Sequence, residues 1–75
     1  MAKQFTVREE SGMMVAKLGR EVVNRLMVDI AGHWGKGKDG KKHFYVEEDC
    51  TFGLGSGDSV MRMFFWEGYT ITEDE

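Results

Sequence analysis

Phe44-Tyr-Val-Glu-Glu-Asp-Cys-Thr-Phe-Gly-Leu54 and, after a glycine-rich interval, Val60-Met-Arg-Met-Phe-Phe-Trp-Glu-Gly-Tyr-Thr-Ile-Thr72 are the stretches that decide the fold. Phe44, Val46, Cys50, Phe52 and Leu54 hold alternate positions, broken at Glu48; Met61, Met63, Phe65, Tyr69 and Ile71 do the same, broken at Glu67. A period of two belongs to strands with one buried face. Gly55-Ser-Gly-Asp-Ser59 reads as the turn between them. Pairing Leu54 with Met61 then sets Phe52 against Met63, Cys50 against Phe65, Val46 against Tyr69 and Phe44 against Ile71, so the apolar residues of both runs share one face. The same register places Glu48 opposite Glu67 on that face. Two like charges are costly to bury, so the hairpin is expected to bend, bulge or leave the core there.

Upstream, Phe5, Val7 and Glu9 alternate with Thr6, Arg8 and Glu10, and Ser11-Gly12 offers a two-residue turn before Met13 to Leu18. In that hairpin Glu10 faces Met13, Glu9 faces Met14, Val7 faces Ala16 and Phe5 faces Leu18. A helix from Gly12 to Trp34, capped by Ser11, competes with it, because Met14, Val15, Leu18, Val22, Val23, Leu26, Met27, Ile30 and Trp34 also follow helical spacing. Gly19 would lie inside that helix, at up to about 1 kcal/mol relative to alanine. From Arg20 onward a helix is expected on either reading: Val22, Val23, Leu26, Met27, Ile30, Ala31 and Trp34 form an apolar stripe, and Arg20, Glu21, Asn24, Arg25 and Asp29 fall opposite. It should stop near Gly32 or Gly35. Residues 35–42, without an apolar anchor, read as a flexible Gly/Lys loop, and Glu73-Asp74-Glu75 as a solvated acidic tail.

The expected fold is therefore a single α+β domain over residues 1–75: a small antiparallel four-stranded sheet with one amphipathic helix packed on one face, in the order ββαββ. The alternative is βαββ with a longer helix.

Composition narrows the function. Seventy-five residues, 41% of them hydrophobic and 31% charged, with no proline and one cysteine, suit one small domain. Such a chain buries only roughly 60% of its unfolded surface, so self-association is expected to support it, and no cofactor is expected. A lone cysteine excludes an internal disulfide. No charged start leads into an apolar segment, so the expected location is cytoplasmic. The longest apolar run, Met13 to Ala16, is far below the ~20 residues of a membrane span. The net charge of −3 is unevenly spread: residues 1–35 carry +1, residues 36–46 carry +3 and residues 47–75 carry −7. This separation concerns association and solubility more than fold.

No catalytic or metal-binding constellation stands out, and an enzyme is not expected. Gly53, Gly55 and Gly57 follow a strand, but no helix N-terminus or Lys-Ser/Thr pair follows to hold a phosphate. His33, His43, Asp49 and Cys50 are donor types that zinc accepts, without the short paired spacing of a zinc site. Cys50, on the apolar side of its strand, reads as a small buried hydrophobe. Adjacent acids in Glu47-Glu48-Asp49 point to alternate faces and do not converge on one atom.

Two binding surfaces remain. Tyr45, Thr51, Val60, Phe64 and Trp66 fall on the outer face of the second hairpin, with Phe64 directly across from Thr51. Exposed aromatics of this kind mark surfaces that another chain completes. The expected function is a small non-enzymatic protein-binding module, an adaptor or an inhibitor of a larger partner, acting through this aromatic sheet face and the acidic surface, of the type common among phage-encoded regulators of host machinery. The alternative is a nucleic-acid-associated protein whose Lys36, Lys38, Lys41 and Lys42 contact phosphates, opposed by the acidic strands nearby.

Overall fold

The computed structural model describes residues 3–54 and 61–74. Among the described residues, seven strands and one helix run in the order β1 (Gln4–Arg8), β2 (Met14–Gly19), α1 (Arg20–Asp29), β3 (Gly32–Lys36), β4 (Lys42–Val46), β5 (Cys50–Leu54), β6 (Met61–Phe65) and β7 (Thr70–Glu73). Five of them form an antiparallel sheet in the order β2-β1-β7-β4-β3, and β5 pairs with β6 in a separate two-stranded ribbon. The α+β class and the single helix are as expected. The four-stranded sheet is not, and the three extra strands arise from one misread segment and two broken ones.

The misread segment is Gly32–Lys36. It is not the end of the helix followed by a loop but the edge strand β3, paired with β4 so that Trp34 faces Phe44 and Gly32 faces Val46. Its glycines are close-approach positions rather than stop signals. A Cβ on Gly32 would stand 2.3 Å from the Tyr45 carbonyl oxygen and 2.6 Å from the Phe44 ring. Three glycines in six residues also make a helix here costly, by about 1 kcal/mol each. Helix α1 accordingly ends at Asp29, where Ile30 turns extended while its N–H still bonds the Leu26 carbonyl at 3.0 Å. Residues 35–42 contain the end of β3, a tight turn and the start of β4.

The broken segments are the two long strands. Cys50 pairs with Phe65, Phe52 with Met63 and Leu54 with Met61 in the ribbon, and Phe44 pairs with Ile71 in the sheet. One register therefore runs through both hairpin halves, and Val46 still donates to the Tyr69 carbonyl at 2.9 Å. Between them the chain departs from the ladder at Glu47–Asp49 and Trp66–Tyr69, the place marked by Glu48 and Glu67, both of which are exposed. There the Asp49 carboxylate takes over as acceptor for the Glu67 N–H, at 2.8 Å. Gly68, at φ +94°, completes a turn closed by the Tyr69 N–H on the Trp66 carbonyl. The expected turn at Gly55–Ser59 lies outside the described residues.

The β1–β2 hairpin replaces the long-helix alternative. Phe5 faces Leu18 and Val7 faces Ala16 as the alternation requires, but a bulge after Val7 shifts Arg8 onto Met14, so Glu9 does not face Met14. The cause is the turn. The Gly12 N–H bonds the Glu9 carbonyl and Gly12 sits at φ +94°, giving a three-residue loop in place of a two-residue one.

One apolar row, Ala16–Val7–Ile71–Phe44–Trp34, crosses all five strands of the sheet. Val23 and Leu26 of α1 and Ile30 at its C-cap, at positions i, i+3 and i+7, are buried together with Phe5, Val7, Phe44, Val46 and Ile71. Phe52 and Phe65 of the ribbon close the same core. The opposite sheet face carries the row Lys17–Thr6–Thr72–His43–Gly35. Glu73 and Asp74 are no free tail: Glu73 ends β7 and pairs with Lys3 at 2.8 Å, and Asp74 donates its N–H to Gln4 and accepts the Thr6 hydroxyl at 2.6 Å. Glu75 lies outside the described residues.

Candidate functional site

Strict alternation on β6 separates neighbours in the chain. Phe65 points into the core and is 1% exposed; Phe64 beside it is 59% exposed and Trp66 is 52% exposed. Phe64 stands directly across from Thr51. At the end of the ribbon nearest the break, Asp49, Cys50, Thr51, Phe64, Phe65 and Trp66 line a surface cleft of about 270 Å³. Three of the residues singled out from sequence, Thr51, Phe64 and Trp66, thus meet at one feature.

Tyr45 does not join them. It belongs to β4 in the other sheet, half-buried and stacked on His33 with ring centroids 5.5 Å apart. Splitting the long strand in two sent Tyr45 and Thr51 to different sheets. Val60 lies outside the described residues.

The electrostatics of the cleft are negative. Burial and the carboxylates of Asp49 and Glu48 push the Cys50 thiol above its ordinary pKa, so the neutral thiol dominates at neutral pH and a nucleophilic role is disfavoured. Among the described residues no group of three or more His, Cys, Asp or Glu side chains is arranged to hold a metal ion.

The four lysines separate. Lys36 and Lys42 face each other across β3 and β4 on the side of Trp34, and the Lys42 ammonium lies 5.7 Å from the Trp34 ring centroid. Lys38 and Lys41 belong to the turn, where Asp39 accepts the Lys41 N–H at 2.9 Å and Gly40 adopts φ +78°.

That turn brings together a group of residues that composition and spacing missed. His43 Nε2 meets Asp39 Oδ1 at 2.9 Å, and its Nδ1 contacts the Thr72 hydroxyl. His33 Nδ1 contacts the Glu47 carboxylate, with Tyr45 between the two imidazoles. A Cβ on Gly37 would meet the His43 ring at 2.6 Å, so the ring fills the space that the glycine leaves. The His43 contact, followed by the Lys41 N–H, holds the Asp39 carboxyl below its ordinary pKa. The carboxylate, imidazole and hydroxyl follow one another, and Thr72 sits in a strand paired on both sides, by β1 and by β4. The arrangement is a strut that ties the hairpin tip to β7. Asp39-Gly40, a strong hairpin signal, was the sequence feature that could have revealed it.

The chain matches no protein-family model, no curated protein and no solved structure.

Proposed function

We propose that this chain is a small non-enzymatic protein-binding module, an adaptor or an inhibitor of a larger partner, that docks through the aromatic face of the β5–β6 ribbon. The observation that carries this reading is the exposure of Phe64 and Trp66 beside a cleft, on a ribbon whose inner face already supplies Phe52 and Phe65 to the core. Neither of these two large, half-exposed aromatics belongs to that core. Trp and Tyr dominate binding hot spots because a rigid ring covers much area at little entropic cost. The test is a pair of pull-downs from the source cells, one with the wild-type chain and one with the Phe64→Ala/Trp66→Ala double variant, followed by calorimetry with the purified partner. A partner that binds the wild-type chain and not the folded double variant supports the reading. Equal binding by both removes it.

A second reading places nucleic acid on the β3–β4 hairpin. It is favoured by the half-exposed Trp34 lying on the same face as Lys36 and Lys42, a ring beside cations that suits a stacked base and its phosphates. Binding of this kind should fall steeply with salt and vanish when Lys36, Lys38, Lys41 and Lys42 are neutralised. No shift with single- or double-stranded DNA or RNA at low salt would exclude it.

A further inference from the structure

The cleft also indicates the chemistry of what fills it, an inference that rests on the docking reading above. Its volume of about 270 Å³ lies below the ~300–1,000 Å³ of sites that enclose small-molecule ligands. It suits one inserted side chain. Phe64 and Trp66 bring exposed aromatic rings to it, and Asp49 brings a carboxylate. The surrounding charge has the same sign: residues 47–54 and 61–70 contain Glu47, Glu48, Asp49 and Glu67 against Arg62 alone. Aromatic faces attract cations, and the attraction grows as the cation leaves water. An acidic rim draws basic partners in and repels acidic ones.

We infer that the Asp49/Trp66 cleft receives a lysine or arginine side chain from a basic segment of a protein partner, held between the aromatic rings and the carboxylate. The methylene stem would lie along the rings while the cationic head meets Asp49. An arginine guanidinium would also stack on Trp66.

The probe is a hexa-arginine peptide, titrated into the ¹⁵N-labelled full chain, with hexaglutamate as the control. Expected are saturable amide shifts at Asp49, Thr51 and Phe64 to Trp66 and at the Trp66 indole. They should weaken as salt approaches about 1 M, where the screening length is ~3 Å. Asp49→Asn keeps an acceptor for the Glu67 N–H and removes only the charge; it and Trp66→Ala should each weaken binding by about tenfold. Shifts that lie elsewhere, that hexaglutamate reproduces, or that both variants retain would overturn the inference. If hexa-arginine disperses an oligomer of the free chain, the occupant is the Lys36–Lys42 hairpin of a second copy, and the assignment to a separate partner falls. The docking reading fails on a different result. A partner lost in Trp66→Ala but indifferent to Asp49→Asn and to hexa-arginine would keep that reading and sink the cationic occupant, whereas a partner indifferent to Trp66→Ala would sink the docking reading itself.

Discussion

Phe64 and Phe65 share a peptide bond and a side-chain chemistry, yet they have opposite roles because a strand turns successive side chains to opposite faces. Truncating Phe65 or Phe52, which are 1% and 4% exposed, removes packed core area and should destabilise the fold by about 3–5 kcal/mol. That is close to the whole stability of a domain this small. Phe64→Ala and Trp66→Ala should leave the melting temperature nearly unchanged and weaken partner binding. Thermal melts of the four variants check this, and unfolding by the second pair with tolerance of the first would reverse the assignment of faces. Gly32 gives a sharper case. Its missing Cβ admits the Phe44 ring and the Tyr45 carbonyl, so Gly32→Ala should cost roughly as much as overpacking a core, about 1–3 kcal/mol. Gly19→Ala, with nothing within 4 Å of the new Cβ, is the matched control, and equal melts for the two would show that the close approach is not a constraint.

Among the elements, the β3–β4 hairpin and the C-terminal end of β7 are held by carboxylates whose titration can be followed. Asp39 is lowered by His43 and the Lys41 N–H, Glu73 by Lys3, and Asp74 by the Thr6 hydroxyl and Lys17. A carboxyl whose pKa is lower in the folded chain than in the unfolded one adds stability that is fully present above the unfolded value, ~3.9 for Asp. It loses that contribution as pH falls through the folded value. The melting temperature should therefore drop on acidification below about pH 4. A variant carrying Asp39→Asn and Asp74→Asn should melt lower at neutral pH and show a shallower acid slope. Carboxyl ¹³C titrations should place Asp39, Glu73 and Asp74 each below the ordinary value for its residue type. An acid slope unchanged in the double variant would show that these contacts do not couple to folding.

At the scale of the molecule, charge and edges favour association. The sheet ends in two edge strands, β2 and β3, and Met13, Met14 and Val15 at the β2 end are exposed together. Edge strands invite pairing unless charge, twist or cover prevents it. The chain is expected to be a dimer or larger at micromolar concentration, and Met14→Lys with Val15→Lys should shift it toward monomer without altering the melt of the monomer. Light scattering across a dilution series measures this. A monomer mass at the highest concentration would leave the exposed surface to a different protein. No helix among the described residues is long and apolar enough to cross a membrane.

Local pattern determined much of this architecture. Period-two alternation found β1, β2, β5, β6 and the pairing of β4 with β7, because a one-residue slip would expose a whole apolar face and is therefore strongly excluded. The like charges at Glu48 and Glu67 likewise located the break, and the exposure of Phe64 and Trp66 followed from the same register. Tertiary contacts decided the rest. Gly32–Lys36 has weak propensity for anything, so it became a strand only because β4 offered a free edge and Phe44 needed the space over Gly32. The pairing of β1 with β7 joins residues nearly a full chain length apart, as in Val7 with Ile71, and nothing local encodes it. Breaking the long strand sent Tyr45 to the histidine strut and left Thr51, Phe64 and Trp66 around the cleft. Alternation fixes which face of a strand a side chain occupies, whereas neighbours in space fix which sheet that strand joins.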